Sequence, residues 1–243
     1  MPWSKMPLTR APRGKSAIDV LTAALVWLST WLAGNFIGAI ILGASGHSGP
    51  GPQPPWTTVV GAVSLWVPML AGLWYISHRL GVGSLAHDFD LRWEPIDLVG
   101  IPIGVLSQLV LLRLIYWPLE NWWPATFGRE HVERTARDLY DRAHGNWLVI
   151  LVLVVVVGAP LVEELMYRGL LQGAFTRRLS EPVGVIVVAA WFAIIHFRAV
   201  EYPGLFAFGL VLGVCAWRTG RLGMGIMAHM AFNATGLILV AGR

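Results

Sequence analysis

Charge is what this sequence has least of. Only 13% of its 243 residues are Asp, Glu, Lys or Arg, where a water-soluble domain carries about a quarter. That deficit argues against a soluble globular enzyme and makes lipid the expected solvent for most of the surface. Cysteine is nearly absent too. The single thiol, Cys215, cannot form an intrachain disulfide, and it lies in an apolar run as a small packing residue. Lysine occurs only at Lys5 and Lys15. There is no internal repeat, no separate polar domain and no basic-aromatic platform for nucleic acid, even though the net charge is +4 and the pI about 9.6. A signal-peptide core of roughly 7–15 apolar residues is missing as well. The run that follows the basic segment Met1–Ser16 is about 25 residues, so an uncleaved first span is expected.

Hydrophobic residues fill the space that charge leaves. They make up 56% of the chain, and its 13 tryptophans suit a protein with two membrane–water interfaces. Apolar runs recur at Ile18–Gly43, Trp56–Ile76, Ile96–Trp117, Trp147–Glu164 and onward, Val183–His196, Leu205–Trp217 and Leu222–Val240. The expected fold is therefore all-α, a polytopic membrane helix bundle of about seven transmembrane helices in a single membrane domain. Its parts are a cytoplasmic tail (1–16), N-terminal spans with a charged loop (17–146) and a motif-bearing core (147–240). Residues Gly128–Gly145 within the charged loop place Val132, Ala136, Leu139, Tyr140 and Ala143 at helical spacing, which predicts a surface helix. The distribution of Arg and Lys between alternate loops favours a cytoplasmic N-terminus in a multi-pass protein of the cell membrane.

Within so apolar a chain, ionisable residues at membrane depth are functional candidates. The segment after the fourth run reads Glu163-Glu164-Leu165-Met166-Tyr167-Arg168. On a helix, Arg168 lies under Glu164, in the favourable order of acid before base. Glu163 diverges from its neighbour by about 100°, toward Tyr167, and has no cation on its own helix. Glu164 is thus expected to be neutralised and held ionised. Glu163 is left as the free carboxylate, suited to act as a general base.

Two later runs each supply a histidine. Phe192-Ala193-Ile194-Ile195-His196 closes the fifth. A turn is signalled at Ser180-Glu181-Pro182, with Glu163 about 17 residues before it and His196 about 16 after it. Two helices folded back at that turn place both residues roughly 25 Å from it, level with each other. The last run carries His229-Met230-Ala231-Phe232-Asn233, two hydrogen-bond donors four residues apart on one face.

The set Glu-Glu-x-x-x-Arg, Phe-x-x-x-His and His-x-x-x-Asn resembles the CPBP family of membrane proteases. This family comprises CAAX proteases and bacteriocin-processing enzymes, includes the type II CAAX prenyl endopeptidases, and is also called the abortive-infection family. The likeness covers roughly Trp147 to Val240. It implies an intramembrane glutamate protease. Glu163 and His196 would hold and activate a water, and His229 and Asn233 would stabilise the oxyanion. Glu164 and Arg168 would support them, with Phe192 and Tyr167 alongside. The implied partners are the lipid bilayer and a membrane-embedded or membrane-anchored peptide substrate, and no cofactor is called for. Zinc is the alternative, because Glu and His are also zinc ligands, although the helical His-Glu-x-x-His motif is not present. Two other classes compete. One is a non-catalytic membrane scaffold or immunity factor of the same fold. The other is a small-solute transporter with a central ion pair, which is disfavoured because the polar residues crowd into one half of the chain.

Overall fold

The computed structural model describes residues 18–49, 51 and 53–242. The expected cytoplasmic tail, with Lys5, Arg10, Arg13 and Lys15, lies outside the described residues, as does Arg243. The described residues contain helices, turns and loops and no strand. Eight helices organise the described residues: α1 (Val20–Ala44), α2 (Trp56–Leu80), α3 (Pro95–Trp122), α4 (Arg129–Arg142), α5 (Asn146–Arg178), α6 (Glu181–Ile194), α7 (Tyr202–Thr219) and α8 (Gly223–Ala241). Short helical turns at Leu85–Asp88 and Pro124–Phe127 join the larger elements.

Five helices (α1, α2, α3, α5 and α8) are long and apolar enough to cross a membrane, which makes this a multi-pass membrane protein. The other two of the seven expected spans form helices but fall short of that standard. α6 has 14 residues, about 21 Å at 1.5 Å per residue against a hydrocarbon core of about 30 Å. α7 has 18 residues, begins Tyr202-Pro203-Gly204 and ends Trp217-Arg218-Thr219, so polar ends dilute its apolar middle. Large side chains such as Leu21, Phe36, Leu114 and Ile238 stand exposed on the spans, as expected for surfaces solvated by lipid.

Helix boundaries follow local chemistry. Asp19 caps α1 by accepting the backbone N–H of Thr22 at 2.9 Å. Proline opens α3, α6 and α7 near their first turns, where its missing N–H costs nothing. Gly220 closes α7 in the left-handed conformation at φ 68°.

α5 is the centre of the bundle. Every residue from Glu164 to Gln172 is buried, and this stretch meets Trp27 of α1, Phe89, and Phe192 of α6 in the main apolar core. The helix runs unbroken past Pro160 because its turns widen. Leu153–Gly158 and Glu164–Gln172 are π-helical, and turns of this kind occur frequently at functional sites.

α6 folds back antiparallel on α5. Gly184 lies against Thr176 near the turn, where a Cβ would come within 2.7 Å of the Thr176 side chain. Farther along, the Phe192 ring lies 4.7 Å from the Arg168 guanidinium carbon and 5.1 Å from the Tyr167 ring. α7 folds back on α6 in turn, with Gly209 against Ala189 and Gly213 against Val185. α8 sits between α3 and α5. Its contact with α3 is backbone to backbone at Gly100 and Gly104, where a Cβ would collide with Met224 and Ala228.

Candidate active site

Glu164 is where α5, α7 and α8 meet. Its carboxylate has no exposure, yet it is richly held. Arg168 Nη1 donates to Oε1 at 3.0 Å from one turn along the same helix. His229 Nδ1 meets the same oxygen at 3.1 Å from α8. A carboxylate can only accept here, so His229 Nδ1 carries the proton. The second oxygen, Oε2, has no hydrogen-bond partner and lies against Gly225, where a Cβ would approach to 2.9 Å. Glycine at this position lets α8 come close enough for His229 to reach Glu164.

Arg168 is as deeply buried as its partner. Its Nη2 donates to the backbone carbonyl of Gly209 at 3.2 Å, and its guanidinium faces the Phe192 ring. One turn later Gln172 repeats the contact, donating from Nε2 to the Gly213 carbonyl at 2.9 Å. Two polar side chains four residues apart on α5 thus match two carbonyls four residues apart on α7. At Gly213 a Cβ would come within 3.0 Å of Gln172 Oε1, so glycine there permits the approach. The sequence reading missed these acceptors. Their signal was the Gly209-x-x-x-Gly213 spacing, which matches Arg168-x-x-x-Gln172.

Glu163 is placed differently. Its side chain is 28% exposed, against 0% for Glu164. Its Oε2 lies 3.8 Å from His229 Nε2, too long for a direct hydrogen bond but close enough for both atoms to share one small polar group. α8 brings an imidazole to it. His229 therefore stands between the two carboxylates, with one ring nitrogen toward each.

His196 lies just past the end of α6, in the turn that follows Ile194, not within the apolar helix itself. Its Nδ1 bonds the Phe192 carbonyl at 2.7 Å, a common way to satisfy the last carbonyls of a helix. Since the carbonyl only accepts, Nδ1 is the protonated nitrogen and a neutral ring presents its lone pair at Nε2. The next residue, Phe197, has φ 52°, an outlier for an aromatic residue and a sign that this turn is held under strain. The α5–α6 register pairs Arg168 with Phe192, and about one more turn along each strand of the hairpin leads to Glu163 and His196. The Phe192 ring touches both imidazoles, at 5.0 Å from the His196 centroid and 5.9 Å from that of His229. Phe208 closes the other side of His229 at 5.5 Å.

Asn233 points at α5 like His229 but meets backbone. Its Nδ2 donates to the Val155 carbonyl at 2.8 Å. Val155 lies in the first π-helical stretch, where the acceptor for an N–H five residues on would be this carbonyl. Residue 160 is proline and has no N–H, and Asn233 supplies the donor. The second amide hydrogen of Asn233 remains for another acceptor. Tyr167 contributes packing, its ring set between Phe192 and Trp27.

The structure thus connects Glu163, Glu164, Arg168, Phe192, His196 and His229 through a chain of contacts and attaches Asn233 to α5 at a point nearer the start of that helix. Among the described residues no group of three or more His, Cys, Asp or Glu side chains is arranged to hold a metal ion.

Comparison with known proteins agrees with the motif reading. Residues 145–235 match the family model described as type II CAAX prenyl endopeptidase Rce1-like. A search of the curated proteins and a search of the solved structures each returned no match. The matched segment opens at the start of α5 and closes two residues past Asn233, so it holds all three motifs. Residues 145–235, the part of the chain that builds this buried carboxylate–imidazole cluster, are similar to the Rce1-like type II CAAX prenyl endopeptidases.

Proposed function

We propose that this chain is an intramembrane endopeptidase that hydrolyses a peptide bond in a membrane-associated or lipidated peptide, with Glu163 as general base. The observation that carries this reading is the unequal state of two adjacent carboxylates. Glu164 is sealed from solvent and bonded to Arg168 and His229. Glu163 keeps an accessible carboxylate beside an imidazole nitrogen. Adjacent acids in unlike environments take unlike roles.

The proposed chemistry uses water and these side chains. A water at Glu163 gives up a proton to that carboxylate, and its oxygen forms a bond to the scissile carbonyl carbon. His196, with Nδ1 committed to the Phe192 carbonyl, orients the water through its Nε2 lone pair. The carbonyl π electrons move to oxygen and make an oxyanion. His229 stabilises that charge when Nε2 also carries a proton, and the imidazolium then balances Glu163, Glu164 and Arg168 to zero net charge. Asn233 adds its second amide hydrogen. Collapse of the intermediate breaks the C–N bond, and the proton held by Glu163 passes to the leaving amine. Preorganised donors of this kind each contribute about 10²–10³ in rate. No step needs a group beyond water and these side chains. The Arg and Lys distribution supports a cytoplasmic N-terminus for this enzyme.

The test is direct hydrolysis. The purified chain in lipid nanodiscs is given an internally quenched peptide ending in a farnesylated CAAX box, in water enriched in the heavy oxygen isotope. The expected result is cleavage with one heavy oxygen in the new carboxylate and no acyl-enzyme burst. A covalent acyl-enzyme would overturn the mechanism. Absence of cleavage with this and with unprenylated membrane peptides would overturn the activity.

A further inference from the structure

The matched segment does not include all of what holds α8 in place. Pro95–Val99, the first turn of α3, carries Asp97, whose side chain has no exposure. Arg221, in the turn that leads into α8, grips it with both arms of the guanidinium. Nε donates to Oδ2 at 2.9 Å and to Oδ1 at 3.2 Å, and Nη2 donates to Oδ1 at 2.9 Å. Paired, parallel bonds of this kind fix orientation as well as distance.

The surroundings are built around that grip. The backbone N–H of Glu94 donates to Asp97 Oδ2 at 2.8 Å, and Glu94 Oε2 lies 3.3 Å from Arg221 Nη2. Gly223, the first residue of α8, lies against the Asp97 carboxylate where any Cβ would collide. Two backbone bonds tie the same turn to the same stretch: Leu222 N–H to the Asp90 carbonyl at 3.0 Å and Gly223 N–H to the Arg92 carbonyl at 3.2 Å. Above the grip, Gly100 and Gly104 press α3 backbone against α8 at Met224 and Ala228. His229 follows Ala228 directly. It lies six residues beyond Gly223, about 9 Å along the helix, and reaches α5 on the other side.

α8 is thus locked to α3 on one side and presents His229 to Glu164 on the other. Its axial position is set at the base, by an ion pair with one member, Asp97, outside residues 145–235. We infer that Asp97 is a positioning residue: through Arg221 it sets the register of α8 and so holds His229 Nδ1 on Glu164 and Nε2 beside Glu163. The inference rests on the proposed protease reading only for its effect on turnover. The geometric part stands without it.

The experiment uses the full chain in nanodiscs, labelled with nitrogen-15 histidine. The His229 ring resonances are identified by their loss in His229→Gln, and the signature of a weakened Nδ1 bond is recorded in Glu164→Gln, whose neutral amide replaces the charged acceptor. Asp97→Asn and Arg221→Lys are then compared with Arg137→Ala, which removes only a surface pair on α4. The expected result is that Asp97→Asn moves the His229 signal to the Glu164→Gln position. Arg221→Lys, which keeps the charge but loses the two-armed grip, moves it part of the way, and Arg137→Ala leaves it unmoved. On the farnesylated peptide, kcat falls about 10²-fold in Asp97→Asn, as for a misplacement of about 1 Å, with KM unchanged within about twofold. If Asp97→Asn does not fold, Gly104→Ala displaces α8 without touching the ion pair and is expected to move the same signal. His229 resonances that stay at the wild-type position in folded Asp97→Asn or, in its place, Gly104→Ala would overturn the inference. A moved resonance in a protein whose wild type cleaves no peptide would instead uphold the inference and refute the protease reading.

Discussion

Replacing Arg168 by methionine is the severest test of the buried pair. The change keeps the apolar stem and removes the guanidinium. Three interactions go with it: the 3.0 Å bond to Glu164, the 3.2 Å bond to the Gly209 carbonyl and the stack on Phe192. The larger effect is on what stays behind. Glu164 has no exposure and would keep only His229 as a partner. Breaking a buried pair by removing one member costs about 3–5 kcal/mol, because the remaining charge is uncompensated. Arg168→Met should therefore lose about that much in reversible unfolding from mixed micelles by SDS titration. Glu164→Gln in the same chain removes the orphaned charge, so Arg168→Met/Glu164→Gln should be more stable than the two single losses added together. The coupling should be about 1–3 kcal/mol. A single-variant loss under about 1 kcal/mol, or strictly additive losses, would refute the reasoning.

Three further outcomes follow from specific contacts. Gly225→Ala pushes a methyl group into Glu164 Oε2, so it should separate α8 from α5 and lower turnover about tenfold or more, read from initial rates at saturating peptide. Asp88 lies outside the spans and ties the end of α2 to the loop after it. Burial pushes its carboxyl up, but the Ser77 hydroxyl at 2.6 Å and the Val82 N–H at 3.0 Å outweigh that and hold it below the ordinary value. Its folded pKa is depressed, so its contribution to stability is complete above the unfolded value of about 3.9 and is lost as pH falls through the folded one. Acid unfolding curves should show this as a limb below about pH 4 that Asp88→Asn flattens. Chelation should leave cleavage unchanged. Activity that vanished with chelator and returned with zinc would reverse the metal-free mechanism.

Much of the site was legible because its information is local. Glu164 and Arg168 are four apart on one helix, and no tertiary contact is needed to pair them. The α5–α6 hairpin followed from a turn signal with nearly equal residue counts to Glu163 on one side and His196 on the other, which is again information carried along the chain. What escaped the reading depends on contacts between distant segments. Nothing near Glu163 in sequence announces His229, sixty-six residues on, as its neighbour. The Gly209 and Gly213 carbonyls carry no side chain to mark them, and only the matching spacing on α5 gives them away. His196 was placed at the end of an apolar run, whereas the helix stops at Ile194 and the imidazole caps it. Asn233 was read as a donor for the reaction, and its first use in the structure is to repair a backbone gap opened by Pro160. Asp97 and Arg221 are 124 residues apart, and nothing local to either one marks the other as its partner. Spans were counted from apolar runs alone, and that counted α6 and α7 with the rest although one is short and the other has polar ends.

The division of labour between the paired glutamates is best measured by making each one glutamine and reading stability and cleavage on the same samples. Glu163→Gln, partly exposed and without a buried ion pair, should unfold within about 0.5 kcal/mol of wild type and cleave nothing. Glu164→Gln should lose about 3 kcal/mol or more, because it strands the buried charge of Arg168. Near-normal proteolysis by Glu163→Gln, or a stability loss that falls on Glu163 and spares Glu164, would contradict the assignment of base and anchor.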